Sequence, residues 1–256
     1  MSDISASAVA SLRSRTGISI LECKKALDEA NGDEENAIEI LRKRGAAQAA
    51  KKSERNQGEG LVFSASKSGK ISLVKLRCET DFVARNDDFL KLGKEFADMA
   101  LSEGADAVKN ATEKINAAVQ QLGENISIGD AHVIEGDVMG CYIHTNNKIG
   151  VVIVIDGGSE EMAKDVAMHA AAMNPSYISP EDVSEEEVTK EKEIWTEQLA
   201  QEGKPAEIME KIMIGKEKKF REENALLKQA FVKNPEQTIE QYLNGATIAK
   251  YVRVSV

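Results

Sequence analysis

Two stretches of this sequence pair β-prone runs around a short polar turn, and a helical pattern follows each pair. In the first, LVFSAS and ISLVKLRCE flank Lys67-Ser68-Gly69-Lys70; in the second, DVMGCYIH and IGVVIVIDG flank Thr145-Asn146-Asn147-Lys148. Runs rich in Val, Ile and Leu on either side of such turns predict β-hairpins. Residues 87–103, with Phe89, Leu92, Phe96 and Met99 at helical spacing, and 105–122 read as helices after the first hairpin. After the second comes SEEMAKDVAMHAAAMN, with Ser159 as its cap. Hairpins covered by helices make the fold class α+β. GKISLV at 69–74 echoes NKIGVV at 147–152, which suggests an internal duplication, although two unrelated hairpins with similar turns give the same apolar matches.

Three short amphipathic helices fit into residues 5–45. Ser5 is the candidate cap of the first, which presents Val9 and Leu12 and stops at Gly17. Ser19-Ile20-Leu21-Glu22 predicts a capping box for the second, whose apolar set is Cys23, Ala26, Leu27 and Ala30. The third starts at Asp33, shows Ala37, Ile38 and Leu41, and is expected to close at Gly45 with Arg42, Lys43 and Arg44 near its negative end. AAQAAKKSERNQGEG, residues 46–60, lacks large apolar residues and reads as a linker. From Ser179 onward charged residues dominate, and the pattern predicts a helical hairpin turning at Glu202-Gly203-Lys204-Pro205. Ile194, Trp195, Leu199, Ile208, Ile212 and Met213 are too few to bury both of its helices. One stripe therefore serves the hairpin itself or a partner, and a solvated surface hairpin is an equal reading. Pro235-Glu236-Gln237-Thr238 is expected to start a short helix to Leu243, and Ile248, Tyr251, Val252 and Val254 to form a final strand completing the second sheet.

Length and charge narrow the function. At 256 residues, with 42% hydrophobic and 30% charged residues, the chain has room for about two folded domains. A net charge of −10 disfavours direct nucleic-acid binding. Cys23, Cys78 and Cys141 are odd in number and widely spaced, against a disulfide framework or a zinc site and in favour of a reducing cytoplasm. No basic and apolar leader opens the sequence, and no window is apolar enough for a membrane span.

Catalytic signatures are missing: the three histidines, His132, His144 and His169, lie outside any known catalytic spacing. His169 reads as a partly buried helix residue and His144 as exposed. Gly157-Gly158 reads as turn geometry rather than a phosphate cradle, so no cofactor is expected. One stretch stands out. In CETDFVARN, residues 78–86, Thr80 can cap the following helix and Asp81 can face its positive end. Phe82 then either enters the core or points outward as an aromatic anchor, and spacing alone favours the core.

TDFVARN at 80–86, TGISILECKKALDEANGD at 16–33, GENISI at 123–128 and AMHAAA at 167–172 together closely resemble the bacterial elongation factor Ts family, over nearly the whole chain. The resemblance implies a nucleotide exchange factor for elongation factor Tu, binding its GDP-bound and nucleotide-free forms and doing no covalent chemistry. It also implies an organisation: 1–50 as a ubiquitin-associated-like three-helix domain, 51–60 as linker, 61–137 as core subdomain N, 138–178 with 226–256 as core subdomain C, and 179–225 as an inserted antiparallel helical hairpin called the dimerisation domain. A homodimer or a 2:2 complex stays open.

By the same resemblance, Thr80, Asp81, Phe82 and Val83 form the element that displaces the Mg²⁺ bridging GDP to the partner, with Phe82 as its wedge. Lys24, Leu122, Gly123 and His144 become further partner contacts. Longer family members continue past the last core strand, while this sequence ends at Val256, so somewhat weaker partner binding is expected. Two rivals are weighed against this reading: a ubiquitin-associated-like interaction module that binds without releasing nucleotide, and a cysteine-dependent enzyme built on Cys78 beside Glu79.

Overall fold

Ser68 and Gly69 both adopt positive φ, 49° and 72°, the backbone that a two-residue hairpin turn requires. They join β1 (Glu59–Lys67) to β2 (Lys70–Cys78) in an antiparallel register that runs from Glu59↔Cys78 to Lys67↔Lys70. This is seen in a computed structural model that describes residues 4–201 and 206–256. Contacts divide the chain into two units. One holds the residues through Ile134 with Thr145–Ile149 and Val254–Val256, and the other holds Glu135–His144 and Gly150–Arg253. Helices and small antiparallel sheets make the fold α+β.

The first unit begins with α1 (Ala6–Thr16), α2 (Ile20–Glu29) and α3 (Glu34–Lys52). Ser5, Ser19 and Asp33 cap them, each side chain accepting a backbone N–H three residues on. Val9, Leu12, Ile18, Cys23, Ala26, Leu27, Ala37 and Leu41 are buried together between them. Only the hydroxyl half of the expected capping box forms, because the Glu22 carboxylate is taken by Lys25 and Arg44. The third helix does not close at Gly45. It runs on to Lys52 because AAQAAKK consists of strong helix formers, and Gly45 is there for contact: a Cβ would lie 3.2 Å from the backbone oxygen of Asn116. The first seven residues of the expected linker, 46–52, are therefore helix, and its last two, Glu59 and Gly60, belong to β1.

The chain then crosses β1 and β2 and enters α4 (Asp81–Ala84), α5 (Asp87–Glu103), α6 (Ala105–Lys109) and α7 (Thr112–Leu122). The single helix expected over 105–122 is broken at Asn110-Ala111. β3 (Ser127–Glu135), a strand that the sequence patterning did not indicate, lies beside β2 in the order β1-β2-β3. Helix α5 covers this sheet, burying Phe89 and Phe96 with Phe63, Val74 and Leu76. Gly93 lets the ring of Phe63 sit against the helix backbone.

The second unit opens with β4 (Val138–Ile143) and contains most of β5 (Ile149–Asp156), an antiparallel pair, and α8 (Glu160–Met173), which packs on β4. Next come α9 (Glu185–Gln201) and α10 (Ala206–Asn224); the turn expected at Glu202-Gly203-Lys204-Pro205 lies outside the described residues. The two helices run antiparallel, as Arg221 pairs with Glu185, Lys192 with Glu217, and Trp195 meets Phe220 edge-on at 5.8 Å. Trp195 and Leu199 are buried, whereas Ile194 and Ile208 are exposed. β6 (Ala230–Phe231) and β7 (Asn234–Thr238) form a small ladder. Pro235 therefore sits in a strand, and the helix expected from it starts four residues later as α11 (Ile239–Leu243). Thr238 and Gln241 form its capping box. β8 (Thr247–Ser255) completes the second sheet in the order β4-β5-β8.

Candidate functional site

Thr80 turns the chain from β2 into α4. Its extended backbone and its hydroxyl, which accepts the N–H of Val83 at 3.4 Å, mark it as the N-cap. Asp81 follows in the first turn, where a carboxylate faces the positive end of the helix, and it pairs with Arg85 at 2.9 Å. Val83 is half-buried against the α5 core, and Ala84 is buried. With those two facing inward, the geometry of a single helical turn leaves Phe82 outward. It is 82% exposed, so of the two readings of this side chain the structure takes the outward one. A large aromatic group on a solvated turn carries unfavourable apolar hydration that a partner surface can relieve.

This turn is held from outside. The Glu124 carboxylate, just beyond the end of α7, accepts the N–H of Glu79 at 3.0 Å, the N–H of Thr80 at 3.1 Å and the Thr80 hydroxyl at 2.5 Å. Glu79 answers by accepting the N–H of Asn125 at 2.6 Å and pairing with Arg55 at 3.4 Å. The Asn125 amide donates to the carbonyls of Ser53 and Arg55, and Lys52 donates to the carbonyl of Gly123 at 2.6 Å. Gly123 takes φ +80° as the C-cap of α7, and Leu122 is half-buried beside the same core. The structure thus brings Thr80, Asp81, Phe82 and Val83 together with Leu122 and Gly123. Glu124 and Asn125 belong to the same cluster and were not singled out from sequence, although both lie in the GENISI stretch.

Lys24 is exposed in α2, outside this network. It borders an open groove on the three-helix bundle with Ile4, Val9, Arg13 and Ile20. His144 belongs to the second unit. It is half-buried rather than exposed, with Nδ1 3.1 Å from the hydroxyl of Tyr142.

Reactive chemistry finds little support here. The Cys78 thiol is buried and donates to the carbonyl of Thr80 at 3.2 Å. Burial, reinforced by the negative charges of Glu124 and Glu59, pushes its pKa up to about 12, the reverse of what an attacking thiol needs. Among the described residues no three His, Cys, Asp or Glu side chains are grouped to hold a metal ion, and no helix is long and apolar enough to cross a membrane. What remains is an apolar side chain on a braced turn.

Comparison with known proteins places the chain in a family. Residues 79–256 match the family described as elongation factor TS. Curated relatives named Elongation factor Ts include those of Marinobacter nauticus, 43% identical over all of this chain and 92% of theirs, and Cellvibrio japonicus, 44% identical over all of this chain and 91% of theirs. That of Hahella chejuensis is 43% identical over all of this chain and 93% of its own.

Proposed function

The chain belongs to the elongation factor Ts family, and from that premise we infer that it is a guanine-nucleotide exchange factor that binds elongation factor Tu carrying GDP and promotes GDP release so that GTP can bind. The observation that carries the mechanism is the outward, braced Phe82. Exchange needs no bond made or broken in this chain. A factor that binds the emptied partner more tightly than the GDP-bound partner lowers GDP affinity by the same ratio.

In this reading Phe82 enters an apolar crevice of the partner. Burying a phenyl group contributes on the order of 1.5–3 kcal/mol, enough to offset part of the cost of displacing packed elements there. The bridging Mg²⁺ belongs to the partner's nucleotide site, and moving the groups that hold it weakens the diphosphate through its counter-ion. Asp81, held by Arg85, and the Thr80 cap keep the backbone of the wedge in one conformation, while Val83 anchors it to the α5 core. Lys24, Leu122, Gly123 and His144 are assigned to supporting contacts. We further assign the three-helix bundle as the ubiquitin-associated-like domain, the two hairpin-and-helix layers as the core subdomains and α9–α10 as the inserted hairpin, in a cytoplasmic protein.

The test is stopped-flow release of a fluorescent GDP from the cognate elongation factor Tu with and without this chain. Acceleration by orders of magnitude supports exchange. Binding without acceleration supports the interaction-module rival instead.

A further inference from the structure

Helix α4 has four residues, too short to hold itself, because a single turn costs more in backbone order than its one or two hydrogen bonds return. Phe82 adds nothing to its own placement, since its ring is exposed rather than packed. The direction of that ring is therefore set by whatever fixes the backbone on either side. Toward α5, Val83 and Ala84 are seated in the core. Toward β2, three donors converge on Glu124, and Glu79 returns the clasp to Asn125.

We propose that Glu124 is a positioning residue for exchange: its carboxylate clasps the Glu79-Thr80 backbone and so aims Phe82 at the partner before the two meet. The inference rests on the wedge reading of Phe82 given above and extends it to a residue that touches neither nucleotide nor metal. Hydrogen bonds to an ionised carboxylate are shorter and roughly twice as strong as neutral ones. Three of them on consecutive donors fix the backbone torsions at the point where strand becomes helix. A pre-aimed wedge loses no ordering entropy on docking, whereas a loose one must be ordered during the displacement step. Glu124 acts on the saturating rate of nucleotide release rather than on how tightly the GDP-bound partner is held.

Stopped-flow release of fluorescent GDP is measured over a range of factor concentrations for wild type, Glu124→Gln, Glu124→Ala, Phe82→Ala and the double variant Glu124→Ala/Phe82→Ala. The expected result is a saturating rate about tenfold lower for Glu124→Ala, with the half-saturating concentration within about twofold of wild type. Glu124→Gln, which keeps one acceptor oxygen, falls between. The double variant is no slower than Phe82→Ala, because a residue that acts through the wedge has nothing to aim once the ring is gone. Amide hydrogen exchange on the same proteins separates positioning from loss of fold: Glu124→Ala speeds exchange at Glu79 and Thr80 and leaves the β1–β2 amides protected.

Three results overturn the inference while leaving the wedge intact: a wild-type saturating rate in Glu124→Ala beside a slow Phe82→Ala, a double variant slowed by the product of the two single effects, or loosening of the β1–β2 amides as well. Wild-type release by Phe82→Ala overturns the wedge reading itself, and the inference with it.

Discussion

Gly140 of β4 lies directly beneath the backbone nitrogen of Lys164 in α8, leaving no space for a Cβ. The obstruction is main chain within a helix, so no side-chain rotation relieves it, and helix and sheet must separate instead. Gly140→Ala is expected to destabilise the chain by about 1–3 kcal/mol, the usual range for overpacking. Gly58→Ala, which meets nothing within 4 Å, should stay within ~0.5 kcal/mol of wild type. Chemical denaturation of both variants checks the pair. Equal stability would mean that α8 does not rest on β4 this closely.

His169 sets a pH dependence. It is buried in α8, its Nδ1 accepts the backbone N–H of Val232 at 3.3 Å, and its Nε2 therefore donates to Gln229 Oε1 at 3.0 Å. Protonation would place a second N–H against that of Val232. Burial, partly opposed by the Gln229 hydrogen bond, lowers its pKa below the ordinary 6.5. The unfolded chain thus takes up a proton at higher pH than the folded chain, so this contribution to stability is complete above about pH 6.5 and is lost as pH falls toward the lowered value. Urea midpoints for wild type and His169→Gln from about pH 7.5 to 5.5 read the effect, and the variant should show the flatter profile.

The Cys78 thiol should resist alkylation. A pKa near 12 leaves on the order of 1,000-fold less thiolate than an ordinary cysteine has at neutral pH, and burial blocks approach as well. Iodoacetamide labelling followed by mass spectrometry should modify the half-buried Cys141 before Cys78 and Cys23, which react only on unfolding. Rapid native labelling of Cys78 would mean that the turn at Thr80 opens readily.

Periodicity and punctuation made most elements legible, because hairpin turns, N-caps and the apolar stripes of α2 and α5 are local signals. What escaped was set by distant contacts. Gly45 reads as a helix stop, and only the closeness of α7 explains a glycine inside α3. β3 was missed because SIGDAHVIE breaks its alternation with Gly129-Asp130 and is only partly buried. Pro235 resembles a helix start but lies within the strand β7, leaving Thr238 to cap α11. At the site, Thr80 and Asp81 were readable as capping residues. The orientation of Phe82 was not, since inward and outward positions share one spacing, and Glu124 stands 44 residues from the hydroxyl that it holds.

In the proposed function Phe82 serves the partner and not the fold. Because its ring is 82% exposed, Phe82→Ala should leave the unfolding midpoint almost unchanged, within ~0.5 kcal/mol. The deciding measurement is stopped-flow release of fluorescent GDP from elongation factor Tu by wild type and Phe82→Ala at matched, saturating concentrations. The expected variant is folded like wild type but releases nucleotide at least about tenfold more slowly. A variant that releases GDP at the wild-type rate would contradict this role of Phe82.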